Sequence, residues 1–447
     1  MWHLLYNGLL VLASPVILAM LLAKQRCRRG LRYRLGLTAP AISVQQRPLI
    51  WVHAVSLGEV VAVAPLVKEL QRRHAEYRFV VSTVTETGRE AVEQRLAGVA
   101  EHCYAPLDFP WSVRRVTGWL QPALYLFVET ELWPNLLRHL ASQAVPTIMV
   151  NGRLSSRSYA RQQWQPIRSF YRWMVQSLRL CLMQSDRDVE RIISLGAPPQ
   201  SVRRTGNIKF DQPPPDPTQA GPSRVSLGLA ADAPLFVAGS THPGEEEMVV
   251  EAFRQVLVTH PEAQLILAPR HIERAQSVES MVRDRGLAVR RRSLLLTAQE
   301  PQAGAIQVLL LDTRGELATL YREATVAFVG GTLVPVGGHN LLEPALWAKP
   351  VLFGPYTDHC AEIADLLFQA GGAKRVTTSD ELAGQFRQWL ERADERQQVG
   401  RAAQGVVRDN QGALQATVDA IEAVMASSQP NIPAARTAAP VPLMAGR

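Results

Sequence analysis

Cysteine is scarce. Cys27, Cys103, Cys181 and Cys360 lie far apart in a chain of 447 residues, with no C-x-x-C pair. That argues against a disulfide scaffold or a zinc knuckle and suits a reducing compartment. The composition of a disordered chain is also missing: hydrophobic residues make up 47% and charged residues 20%, as in ordinary globular proteins. The length exceeds one small domain and is enough for two sizeable cores. Charge balance is absent too, with a formal net charge of +8. Such an excess suits an anionic partner: nucleic acid, a phosphorylated substrate or an acidic membrane face. By itself it does not choose among them.

The charge order of a secretory signal is absent from the N-terminus. Leu4 to Ala23 is almost wholly apolar, broken mainly by Asn7, Ser14 and Pro15, and the positive charges come afterwards: Lys24, Arg26, Arg28, Arg29, Arg32 and Arg34. A signal peptide would carry them before the apolar run. About 20 apolar residues suffice to cross a bilayer, and the basic flank places the chain beyond Lys24 on the cytoplasmic side. The expectation is a transmembrane signal-anchor over residues 1–23, its basic flank on anionic headgroups. A buried or interfacial helix is the alternative, because Asn7 and Pro15 weaken a span.

After Pro48 the pattern runs strand, turn, helix, repeatedly. Apolar strands are expected at 49–55, 78–84, 123–128, 147–150 and 178–183, with a helix from about Val60 to Arg72 after the first. These runs are continuous, not alternating, as in parallel sheets covered on both faces. Residues 212–224 (QPPPDPTQAGPSR) read as a linker, since prolines disfavour helix. Beyond it the alternation restarts, with strands at 235–238, 264–268, 307–311, 326–329 and 351–353. The expected fold class is α/β: two doubly wound, Rossmann-like domains, 24–211 and 225–426, a ligand between them, and a disordered tail from 427 to 447.

Charged residues gather where strands end, the edge at which open α/β sheets bind ligands. The segment H-A-V-S-L-G-E puts Glu59 at a helix start after the first strand. There it can serve as a general base or as a favourable charge on the helix dipole. In E-T-E-L-W-P-N, Glu129 reads as functional and Glu131 as a cap for the helix that Pro134 helps start. Lys209, in G-N-I-K-F-D, can reach an anion or be a solvated surface lysine. Arg270 ends another strand and is shaped to hold phosphate or carboxylate. Gly337-Gly338-His339-Asn340-Leu341-Leu342-Glu343 reads as a glycine-rich loop entering a helix, an anion site with Glu343 placed for ribose hydroxyls. His339, with no paired ligands in the sequence, reads as a hydrogen-bonding loop histidine.

Together, W-V-H-A-V-S-L-G-E, E-T-E-L-W-P-N, N-G-R-L-S, G-N-I-K-F-D, G-S-T-H-P-G-E-E, A-P-R-H-I-E-R and V-G-G-H-N-L-L-E resemble, in content and order, the motifs of the Kdo (3-deoxy-D-manno-octulosonic acid) transferases of lipid A assembly. The resemblance runs from the membrane segment to about residue 425. It implies the two-domain GT-B glycosyltransferase fold, a CMP-Kdo donor, a lipid A precursor (lipid IVA type) as acceptor, lipopolysaccharide core biosynthesis, and work at the cytoplasmic face of the inner membrane. No metal, cofactor or nucleic acid partner is implied. By resemblance the general base falls on Glu59 and the transition-state stabilisers on Glu129 and Lys209. The CMP contacts fall on Pro269 and Arg270, on Arg314, Gly315 and Glu316, and on Asn340, Leu341, Leu342 and Glu343. Arg314 stands where other members can carry Met, which assigns that contact to its backbone. With a single-phosphate leaving group, one carboxylate on the acceptor side suffices for an inverting reaction. Two rivals differ in kind: a transferase using a UDP- or GDP-sugar, and a non-catalytic module binding anionic lipid, which would have no need of Glu59.

Overall fold

The computed structural model describes residues 2–23, 30–42, 47–211, 222–297 and 306–427. Most of the expected linker, most of the basic stretch after Ala23 and nearly all of the tail lie outside the described residues. The chain divides into two compact units: Met1–Gln212 together with Gly412–Arg447, and Pro213–Gln411.

The first unit is built on strands β1 (Leu49–His53), β2 (Arg78–Thr83), β3 (Glu101–Tyr104), β4 (Pro122–Val128), β5 (Thr147–Gly152), β6 (Leu180–Met183) and β7 (Val202–Arg204). All pair in parallel, in the order β3-β2-β1-β4-β5-β6-β7. The second unit repeats the plan with β8 (Leu235–Thr241), β9 (Gln264–Pro269), β10 (Val289–Arg291), β11 (Val308–Leu310), β12 (Val326–Val329), β13 (Val351–Phe353) and β14 (Ala373–Arg375). Their order is β10-β11-β9-β8-β12-β13-β14, again parallel. The apolar strands expected from the sequence are all present. The four that it did not announce, β3, β7, β10 and β14, are the four sheet edges. Only one residue in each of β3 and β14, and none in β7 or β10, is buried. An edge strand is not covered on both faces, so it has no need of a continuous apolar run, and charge there discourages further pairing.

The second domain ends earlier than residue 426. Its unit closes at Gln411, and the helix Ala413–Ser427 belongs to the first unit. There Val418, Ile421 and Val424 join the core that covers the helix Leu57–Arg73. The Asp211 carboxylate accepts from the amides of Gly412 and Leu414 at 2.6 and 2.7 Å, and Glu422 pairs with Arg73 and His74. A charged acceptor on two otherwise open amides is worth more than a neutral one. Asp211→Ala is expected to cost the first unit about 1–3 kcal/mol, read by chemical denaturation; a loss below a few tenths would mean that water replaces the carboxylate.

The expected membrane span is not met: among the described residues no helix is long and apolar enough to cross a membrane. The helix Trp2–Ala23 instead begins against the first unit. Tyr6 Oη donates to Asp108 at 2.9 Å, and the Asn7 and Asn135 side-chain amides exchange hydrogen bonds at 3.1 and 2.8 Å. Trp2 and Tyr6 pack on Phe170. Asn7, a liability in hydrocarbon, is here a docking group. Burial pushes Asp108 up to about 6, against the amides of Asn135 and Leu136 and the Tyr6 hydroxyl, which all stabilise its charge.

Candidate active site

In each sheet the chain starts in the middle, fills one side and then crosses to the other. This reversal opens a crevice between β1 and β4 in the first sheet and between β8 and β12 in the second.

Glu59 stands beside the first crevice, in the opening turn of the helix Leu57–Arg73. Its Oε2 accepts from the Val55 amide at 2.8 Å and its Oε1 from Ser56 Oγ at 3.1 Å. Those bonds favour the charged form. Burial overrides them, with help from the charges of Glu129 and Glu131, and the carboxyl is pushed up to about 7. Glu59 therefore fastens its own helix start and is also poised to take a proton near neutrality.

Glu129 follows β4 with φ +57, a left-handed backbone that is strained for a residue with a Cβ. Its Oε1 lies 3.4 Å from Lys209 Nζ. The two side chains are each about a quarter exposed (29% and 24%), so Lys209 is not a free surface lysine. Glu131 does not cap the helix Pro134–Ser142, which corrects the expectation: its Oε2 accepts from Trp133 Nε1 at 3.0 Å. The capping carboxylate is Asp108, from a separate loop, which accepts from the amides of Asn135 and Leu136, both at 2.9 Å. Thr130 Oγ1 is also committed elsewhere, to the Arg153 carbonyl.

Sequence reasoning missed the groups that aim Lys209. Asn151, with φ +53, accepts from the Ile208 amide at 3.0 Å. Gln184 Nε2 donates to the Asn151 carbonyl, and Asn207 Nδ2 donates to Gln184 Oε1. All three amide side chains are buried. The Asn-Gly pair at 151–152 was the available signal, because Asn tolerates the left-handed region. His53 was missed as well. It is fully buried, contacts Ser82 Oγ through Nδ1 at 2.9 Å, and meets Trp133 edge-on. Burial holds it neutral, down to about 4.

At the second crevice, Pro269 closes β9 and Arg270 is exposed just beyond it. Among the described residues no carboxylate pairs with the Arg270 side chain. Arg314 meets Glu273 at 3.5 Å with both side chains about 70% exposed, a contact of little energetic weight. Gly315, with φ +89, leaves open space above its backbone. Glu316 is clamped by Arg292 at 2.8 Å and by Thr313. Burial pulls its pKa upward, but these hydrogen bonds and the Arg292 charge win, and it stays below the ordinary carboxyl value.

Two details correct the expected anion loop. The helix after it, Leu342–Leu346, is a single turn, and the Leu342 amide is already taken by Asn340 Oδ1 at 3.2 Å. Leu341 and Leu342 are buried, so only their backbones can meet a ligand. Gly338 has φ +86, and a Cβ there would lie 2.6 Å from Cys360 Sγ. A Gly338→Val change would thus disrupt packing as well as block approach of a phosphate. His339 is hydrogen-bonded as expected, but to another ring: the Nε2 atoms of His242 and His339 are 2.8 Å apart.

Architecture alone places the chain among two-domain, GT-B-type α/β proteins. UDP-GlcNAc 2-epimerase from Neisseria meningitidis shares the fold, with a TM-score of 0.59 over 84% of this chain and 100% of that one, at 14% identity. The sequence is more specific. The family described as 3-Deoxy-D-manno-octulosonic-acid transferase (kdotransferase) matches residues 29–212. A 3-deoxy-D-manno-octulosonic acid transferase of Haemophilus influenzae is 34% identical over 94% of this chain and 98% of its own length. One from Aquifex aeolicus is 33% identical over 76% of this chain and 86% of its own. The chain belongs to the Kdo transferase family.

Proposed function

We propose that the protein transfers Kdo from CMP-Kdo to a lipid A precursor of the lipid IVA type, with inversion at the anomeric carbon and Glu59 as general base, in assembly of the lipopolysaccharide core. The observation that carries this reading is Glu59 itself: a carboxylate beside the crevice, held by Val55 and Ser56, with its proton affinity raised to about 7. Glu59 takes the proton of an acceptor hydroxyl while that oxygen bonds to the anomeric carbon. The bond from that carbon to the phosphate oxygen breaks, and CMP leaves with the electron pair. Charge then grows on a single phosphoryl group, which Arg270 and the backbone near Asn340 are suited to meet. In the first unit Glu129 holds the Lys209 ammonium within 3.4 Å of its carboxylate, and we assign this pair to stabilising charge in the transition state.

A glycolipid acceptor resides in a bilayer, and we place the reaction at the cytoplasmic face of the inner membrane. The helix Trp2–Ala23 supports this through its outward apolar residues, among them Leu4, Leu9 and Leu12, each more than half exposed. Anionic lipid would meet the basic residues beyond its end.

The deciding experiment supplies CMP-Kdo made in situ and a lipid A precursor, and weighs the product. A mass gain of one or more Kdo residues is expected, and an unchanged acceptor overturns the reading. The nucleotide is tested separately by thermal unfolding, since a ligand of the native state raises its stability. CMP should protect, and UDP and GDP should not. Arg270→Ala should weaken CMP binding by about 10–100-fold, the worth of one charge-assisted contact, measured by calorimetric titration. Unchanged affinity would move the phosphate elsewhere.

A further inference from the structure

Four histidines stand on the carboxyl edge of the second sheet. His242 follows β8, His271 follows β9, His339 follows β12 and His359 follows β13, and these four strands are neighbours. His242 and His339 flank the reversal between β8 and β12, and they touch. Their rings are nearly parallel, 5° apart, with centroids at 5.0 Å. His271 packs edge-on to His242 at 5.6 Å.

An Nε2 to Nε2 contact of 2.8 Å requires a proton on one nitrogen and a lone pair on the other. Among the described residues the Nδ1 atoms of this pair have no hydrogen-bond partner. The charges around the pair are mostly positive: Arg270, His271 and Arg274 act on His242, and Arg270, His271 and His359 act on His339. The nearby carboxylates are already engaged. Glu245 accepts from the amides of His242, Gly331, Thr332 and Leu333. Glu246 takes Arg274 and Thr241, and Glu247 takes the Gly244 amide. Among the described residues no set of three or more acidic, histidine or cysteine side chains is arranged to hold a metal. Hydrogen-bond donors, excess positive charge and engaged carboxylates make a site for an anion.

We propose that the His242–His339 pair binds the carboxylate of an acidic sugar donor, next to the phosphate assigned to Arg270. This rests on the donor reading above. In a nucleotide-activated 2-keto sugar acid the carboxylate and the phosphate ester hang on the same carbon. Two anions a few ångströms apart repel each other, and a site for both needs more than one cationic or donor group. Arg270 supplies one and the histidine pair a second. A neutral sugar would leave the second unused. By itself the pair resists a second proton, since burial first, then the neighbouring rings and guanidinium groups, lowers both histidines, His339 to about 3. An anion reverses part of that, so sugar-acid binding takes up protons and strengthens as pH falls.

The test uses the full chain without acceptor. Binding of CMP and of freshly made CMP-Kdo is measured by thermal shift and titration for the wild type, His242→Gln and His339→Asn. Both variants should bind CMP within about threefold of the wild type and lose about tenfold or more for CMP-Kdo. Equal losses for CMP and CMP-Kdo would assign the pair to the phosphate and overturn the proposal, as would no loss for either. His242→Gln keeps the test sound if the more buried His339→Asn folds poorly. Should CMP-Kdo protect the wild type no better than UDP does, the donor reading falls and this assignment falls with it.

Discussion

Glu59→Gln should lower turnover by about 10²–10⁴-fold while leaving CMP affinity unchanged. The amide oxygen can still accept from Val55, and the NH₂ group can donate to Ser56 Oγ, the two groups that now hold the carboxylate at 2.8 and 3.1 Å. It cannot accept the acceptor's proton. The pH profile gives a second readout. A base pushed up to about 7 must be deprotonated to act, so wild-type kcat/KM should fall as pH drops through about 7. In Glu59→Gln that limb should vanish. Stability runs the other way. The folded protein holds this proton more tightly than the unfolded chain, whose carboxyl titrates near 4.5. Raising the pH from about 4.5 through 7 therefore costs the wild type stability, up to about 3 kcal/mol. Glu59→Gln escapes that cost and should melt higher than the wild type at pH 8, with little difference at pH 4. An active variant, or a wild-type profile flat between pH 6 and 8, would remove Glu59 from the chemistry.

The largest stability loss is expected at Glu245→Ala. Glu245 is fully buried, and its two oxygens accept four backbone amides at 2.7 to 2.9 Å, from His242, Gly331, Thr332 and Leu333. One carboxylate thereby ties the loop after β8 to the loop after β12, on both sides of the second crevice. Alanine strands four donors away from water, each costing about 1 kcal/mol or more. A loss of about 4 kcal/mol or greater is expected in urea denaturation, with the second unit the first to unfold. Glu245→Gln should fall between, because its NH₂ group would face donors. A loss under about 1 kcal/mol for the alanine variant would show that the loops hold themselves.

Sequence legibility followed burial. The interior strands announced themselves because both faces of each sheet are covered, and most positions there are apolar. Val202–Arg204 and Val289–Arg291 carry the same Val-Arg-Arg residues as any exposed turn could. Only pairing to a neighbour made them strands. Domain limits failed for a related reason: the apolar stripe of Ala413–Ser427 shows that the helix must be covered, and not by which sheet.

By itself the sequence determined the α/β class, the two repeats of it, the family, and the positions of Glu59, Glu129 and Arg270 at strand ends, because periodicity and strand-end chemistry are local properties of the chain. Tertiary structure alone decided that Asp108, not Glu131, caps the helix after Trp133, that Asn151 and Gln184 aim Lys209, and that His242 meets His339. Those partners stand tens of residues apart. Hydrogen bonds between them depend on which loops the sheet order brings together, and strand order is a choice of pairing that no local pattern in the chain encodes.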